Sequence, residues 1–113
     1  MTNSGGATYR HALYLDNADT NTVTGSYISN PAGHGATLDI NSDYNTISQS
    51  TMVSNGSGSG WSALWFTGSS VRNSVTGSYI QETSGSGVLL NANYNTISQS
   101  TITSNTIPLY FNV

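Results

Sequence analysis

Cysteine is absent from this chain, so neither a disulfide nor a thiolate metal centre holds it together. Lysine is absent as well, and the only basic residues are Arg10 and Arg72. Against 5 acids they leave a net charge of −3, which gives no basic footprint and excludes nucleic-acid binding through phosphate contacts. No apolar run approaches the length of a membrane span, and the polar, Gly-rich stretch after Met1 reads as neither leader nor anchor. A membrane partner is therefore not expected. Charged residues make up 6% of the chain, a scarcity that among so many Gly and Ser residues is compatible with disorder. The apolar residues, however, recur at fixed places, which a disordered chain has no reason to maintain.

What is present is repetition. Residues 44–55 read YNTISQSTMVSN and residues 94–105 read YNTISQSTITSN, while VTGSYI occurs at 23–28 and again at 75–80. The Asn residues that open these segments, Asn21, Asn45, Asn73 and Asn95, are spaced 24, 28 and 22 residues apart. A period of this size, rich in Asn, Thr, Ser and Gly with isolated aliphatics, marks a solenoid whose units bury their apolar faces only by stacking. Because VTGSYI and NTISQST alternate, the true repeat is a pair of coils.

Each coil resolves into short strands separated by turns. Leu13 and Leu15, Leu38 and Ile40, Leu64 and Phe66, and Val88 and Leu90 are apolar at alternate positions and are expected to share the inward face of a first strand. Val23, Ile47, Val75 and Ile97 form a second inward stripe, and Ile28, Met52, Ile80 and Ile102 a third. Three stripes give a triangular section around a narrow aliphatic core. Asn21, Asn45, Asn73 and Asn95 are expected at one corner, where amides can bond along the stack and Asn tolerates left-handed backbone. Ser26, Ser50, Ser78 and Ser100 form a second polar row. The segments 30–35, 56–60 and 84–87 read as loops between coils, and residues 106–113 begin a further coil with Leu109 and Phe111 inward. Residues 1–11 read as a tail or the end of a preceding coil, and 12–113 as the repeat domain.

These repeats, above all Asn45–Ser48 and Asn95–Ser98 (NTIS), resemble those of the right-handed parallel β-helix superfamily. That pectate-lyase-like group is shared by polysaccharide lyases, rhamnogalacturonases, epimerases and phage tail spikes. The resemblance covers roughly residues 12–113 and implies an all-β, right-handed parallel β-helix of about four coils plus the start of a fifth. It also implies a secreted, cell-surface or virion setting, a polysaccharide partner and, for a tail-spike-like parent, a side-by-side homotrimer. Pectate lyases use a Ca²⁺ cluster of acids with an Arg base. No such cluster is visible here, and Arg72 falls in the turn before Asn73.

The alternation predicts an outward row of Tyr14, Asp39, Trp65, Leu89 and Tyr110 beside a row of Asp16, Asn41, Thr67, Asn91 and Asn112. Aromatics next to carboxylates and amides suit a sugar, whose ring face stacks on Tyr or Trp while its hydroxyls need polar partners. Trp61 and His34, at equivalent edges of neighbouring coils, are candidates for one wall of the same groove. Asp16 and Asp39 are the candidate acid pair for a lyase or hydrolase, read as lying in adjacent rows on adjacent coils. His34 and His11 each read as an isolated, solvated residue. No metal-ligand spacing, phosphate loop or nucleophile elbow appears, so no cofactor is expected.

The leading expectation is a module that contacts polysaccharide, with an enzyme fragment as the alternative. A third reading is a structural shaft that self-associates through its coil ends. A minor one is ice binding, through the rows Thr22, Thr46, Ser74, Thr96 and Thr24, Ser48, Thr76, Ser98.

Overall fold

The computed structural model describes residue 2, residues 11–57 and residues 60–112. Of the N-terminal segment 1–11 only two residues fall within this range. Thr2 bridges Ser29 in parallel, and His11 opens the first strand.

The chain winds through coils of three strands each. The first holds β1 (His11–Asp16), β2 (Thr22–Thr24) and β3 (Tyr27–Asn30), and the second β4 (His34–Asp39), β5 (Thr46–Ser48) and β6 (Thr51–Ser54). The third holds β7 (Ser62–Phe66), β8 (Ser74–Thr76) and β9 (Tyr79–Glu82), and the fourth β10 (Ser86–Leu90), β11 (Thr96–Ser98) and β12 (Thr101–Ser104). β13 (Ile107–Phe111) then starts a fifth. Every pairing is parallel and joins a strand to its equivalent one coil away. The result is a 5-stranded first sheet (β1-β4-β7-β10-β13) and two 4-stranded sheets, β2-β5-β8-β11 and β3-β6-β9-β12. The fold is a right-handed parallel β-helix with no helix among the described residues. Parallel strands need a long crossover, and here the other two sides of the coil supply it.

The second and third sheets follow the periodicity. Val23, Ile47, Val75 and Ile97 share one rung position, as do Ile28, Met52, Ile80 and Ile102. Together with Leu13, Leu38, Leu64, Phe66, Val88 and Leu90 they form one aliphatic core along the axis. Each buried Leu or Ile contributes roughly 1.5–3 kcal/mol relative to exposure, enough only when coils are stacked.

The first sheet corrects one expected register. Leu13 pairs with Ala36 and Leu15 with Leu38, so the inward pair on β4 is Ala36 and Leu38. Ile40 lies beyond the strand and is 52% exposed. Sliding a strand by two residues keeps the same face inward, so alternation by itself cannot detect such a slip. Ala36 escapes notice because its small side chain carries little apolar signal.

The corners explain why Asn and Ser recur. The amide oxygen of Asn45 accepts the backbone N–H of Asn21 at 2.8 Å, that of Asn73 accepts from Asn45 at 2.8 Å, and that of Asn95 from Asn73 at 2.9 Å. Their amide nitrogens reach back to the carbonyls of Ala18, Ser42 and Ser70. The left-handed residue is the one before each Asn, namely Thr20, Tyr44, Arg72 and Tyr94, not the Asn itself as expected. The chain turns one position early, which leaves the Asn side chain free to lie along the stack. At the next corner, Ser50, Ser78 and Ser100 accept the N–H of Ser26, Ser50 and Ser78 in the same way, each just after a left-handed Gln or Gly. The row at the end of the third sheet is Asn30, Ser54, Glu82 and Ser104. Glu82 is buried, and one of its oxygens accepts the N–H groups of Thr83, Ser84 and Gly85.

Candidate functional site

With the corrected register, the outward row of the first sheet is Tyr14, Thr37, Trp65, Leu89 and Tyr110. The row beside it begins with Asp16 directly opposite Asp39. Thr67, Asn91 and Asn112 follow, each N–H bonded to the coil before. Asp39 therefore leaves the aromatic row and joins Asp16 in one row instead of occupying an adjacent one. Asn41 leaves the Asp16 row altogether. It sits in the corner with φ of 53° and accepts a hydrogen bond from Ser69 Oγ at 2.5 Å.

His11 and His34, expected as isolated and solvated, are neither. They face each other in register at the start of β1 and β4, and their rings stack with centroids 5.2 Å apart. His11 also stacks on Tyr14 at 4.6 Å, and its Nδ1 lies 2.7 Å from Thr37 Oγ1. His34 is 5% exposed, 4.6 Å from the ring of Trp65 and edge-on to Trp61 at 5.0 Å. Five rings from three coils thus form one contiguous layer over a fully buried Thr37. The signal for this was the coil spacing. Once Leu13 is set against Ala36, His11 falls opposite His34.

The electrostatics of the layer follow from its packing. Burial, with the neighbouring His11, holds the His34 imidazole down at about 4. Its Nδ1 accepts the Ser62 backbone N–H at 3.2 Å, which puts the proton of the neutral ring on Nε2. His11 is lowered too, by burial against an opposing pull from Asp39. The Tyr14 hydroxyl donates to Asp39 Oδ2 at 2.9 Å, and that bond pushes the phenol up to about 12. The other oxygen of Asp39 accepts its neighbour's N–H, from Ile40, at 2.9 Å. Asp39 is thus engaged at both oxygens. Two polar atoms on this face are buried without a partner among the described residues, the indole Nε1 of Trp65 and Oδ1 of Asn91.

Toward β13 the layer continues into a recess of about 220 Å³ lined by Trp61, Ser86, Leu89 and Tyr110, among others. Trp61 is fixed from below, because its carbonyl accepts Ser86 N–H and its ring lies against the backbone of Gly56. Among the described residues no cluster of three or more His, Asp or Glu stands ready to hold a metal ion. No helix of the described residues is long and apolar enough to cross a membrane.

A family model described as a right handed beta helix region matches residues 3–111. The chain belongs to that family. No curated protein and no solved structure matches the chain. Membership in the right-handed β-helix family fixes the architecture and leaves the chemistry to the site.

The sequence also left one corner feature unread. The guanidinium of Arg72 lies 5.5 Å from the ring centroid of Tyr44 one coil away, so one of the two cations is spent on a cation–π contact at the Asn corner.

Proposed function

We propose that this β-helix segment contacts a polysaccharide through the outer face of its first sheet. The observation that carries the reading is the contiguous ring layer of His11, Tyr14, His34, Trp61 and Trp65, extended by Leu89 and Tyr110. The ring surface left open at Tyr14 and Tyr110 suits the C–H side of a pyranose, and the rings of the layer lose little entropy because packing already fixes them. Beside them, the Asp16 and Asp39 carboxylates, opposite each other at the end of β1 and β4, supply acceptors for sugar hydroxyls. Five strands about 4.8 Å apart give a platform roughly 19 Å long, room for several sugar units along the axis. Such a ligand implies a secreted, cell-surface or virion protein of the tail-spike kind.

Titration with bacterial surface polysaccharides, followed by tryptophan fluorescence, tests the proposal. Wild-type protein is expected to respond and Trp65→Ala to lose the response. Unchanged affinity in Trp65→Ala would remove the platform. Catalysis through Asp16 and Asp39 is less favoured, since Asp39 already accepts from Tyr14 and Ile40. An Asp39→Asn protein that shortens polysaccharide as wild type does would dismiss that role.

A second reading rests on the exposed apolar surface at the β13 end. Leu109 and Phe111 are 38% and 62% exposed, and a recess of about 270 Å³ is lined there by Leu90, Ile97, Ile102, Leu109 and Phe111, among others. Association of copies through this end predicts a mass that rises with concentration and falls back in Phe111→Asp. A fixed trimer mass instead points to side-by-side packing.

A further inference from the structure

Asn55 and Gly56 form the chain's only Asn-Gly step, at the start of the loop that leads from β6 to Trp61. The Asn residues that precede a small Ser within the described range are held by hydrogen bonds. Asn41 accepts from Ser69 Oγ, and Asn73 both accepts from Asn45 N–H and donates to Ser42 O at 2.7 Å. Asn55 differs from both. It is exposed, its backbone N–H bonds Asn30 O at 3.1 Å, and its side-chain amide makes no hydrogen bond to any described residue.

We propose that Asn55 is a deamidation site of the folded protein, and that the modified loop releases Trp61. Once a base has taken its proton, the Gly56 backbone nitrogen attacks Asn55 Cγ. A new C–N bond closes a succinimide, and the side-chain nitrogen leaves as ammonia. Water then adds to one of the two imide carbonyls and opens the ring to an aspartyl or an isoaspartyl residue, with no change of oxidation state. Glycine suits the attack because no Cβ crowds the nitrogen. The same missing Cβ lets the Trp61 ring rest on Gly56, where a Cβ would collide with the indole Cδ1. The isoaspartyl product inserts a methylene into the main chain next to Gly56 and adds a negative charge. A close-packed contact does not absorb that without moving the ring.

The experiment ages the folded protein at mildly alkaline pH and follows each Asn by peptide mapping, with an isoaspartyl-specific methyltransferase as second readout. Near-ultraviolet circular dichroism reports on the tryptophans in parallel. Amide loss is expected at Asn55 several-fold faster than at Asn41 or Asn73, with a change in the tryptophan signal that Asn55→Gln, which keeps an unbonded amide, does not show. An Asn55 as durable as Asn41 and Asn73, or one that converts only in denaturant, would overturn the site. Conversion without any change in the tryptophan signal would overturn the link to Trp61.

Discussion

The second sheet and the outer face of the first are built on the same coils with the same strand spacing, yet one repeats and the other does not. In the second sheet each coil hands its neighbour the same bonds. An Asn amide oxygen takes the N–H of the previous Asn, and a Ser hydroxyl takes the N–H of the previous Ser. A different residue at any rung strands the donor of the coil beside it, so chemistry holds the pattern in place. On the outer face of the first sheet, Tyr14, Thr37, Trp65, Leu89 and Tyr110 occupy one row and share nothing but direction. The inner face of those strands is again constrained, as Ala36, Leu64, Val88 and Leu109 stay aliphatic. Stacking therefore dictates the core and two corners and leaves one face unconstrained, and that face holds the rings.

The sharpest break between scaffold and face should appear between two adjoining strands of the first sheet. Phe66→Ala empties a fully buried position of β7 and is expected to cost about 3–5 kcal/mol. Leu89→Ala, on the outer face of the adjoining β10, should cost about 1 kcal/mol or less. Denaturant unfolding of the two variants checks this. Equal losses would mean that the face is part of the scaffold.

Acid offers a way to strain the ring layer without mutation. His34 is held at about 4 in the fold against an unfolded value of 6.5, mainly by burial. Between those values the unfolded chain binds more protons, so stability is fully present above about pH 6.5 and falls as pH drops toward 4. The loss is on the order of 3 kcal/mol, and His11 adds to it in the same direction. Below pH 4 this contribution stays flat. Tm measured across the window should show the slope in wild type and a shallower one in His34→Gln. The same slope in both would place the acid sensitivity elsewhere.

A rung of the ladder should matter in proportion to its burial. Asn73→Ala leaves the buried Asn45 N–H and the Ser42 carbonyl without partners, an expected cost of about 1–3 kcal/mol. Asn21, exposed and serving no earlier rung among the described residues, should lose under about 1 kcal/mol when truncated. Similar losses in the two would show that the ladder acts through residue type rather than through neighbours.

Most of this scaffold is legible in the sequence, for a physical reason. The doubled NTISQST and VTGSYI segments lie on the second and third sheets and their corner, where each residue is matched to its equivalent one coil away, so repetition reads out contacts directly. The first sheet is less legible because its neighbours differ from coil to coil. Alternation gives which face is inward but not which pair of residues, so it cannot tell Ala36 and Leu38 from Leu38 and Ile40. The same two-residue shift sets Asp39 opposite Asp16 and His34 opposite His11. The ring layer itself depends on side-chain directions at the start of β4. His34 shares the parity of the inward Ala36 and Leu38, yet it packs against the outward Trp65, which no periodicity encodes.

The smallest expected effect probes the edge of the face. Tyr14 is 46% exposed, and its bond to Asp39 lies at the surface, where such pairs contribute little. Tyr14→Phe should therefore change stability by about 0.5 kcal/mol or less while keeping the ring that stacks on His11. The bond has a separate signature, because it is the main reason the Tyr14 phenol is pushed up to about 12. Ultraviolet titration should show one tyrosine fewer ionising late in Tyr14→Phe. In Asp39→Asn the late ionisation should move down toward the ordinary range with the ring still in place. If Tyr14→Phe instead unfolds the protein as readily as Asn73→Ala, the Tyr14–Asp39 bond is a rung of the scaffold, and the division between repeated frame and variable face must be redrawn one strand further out.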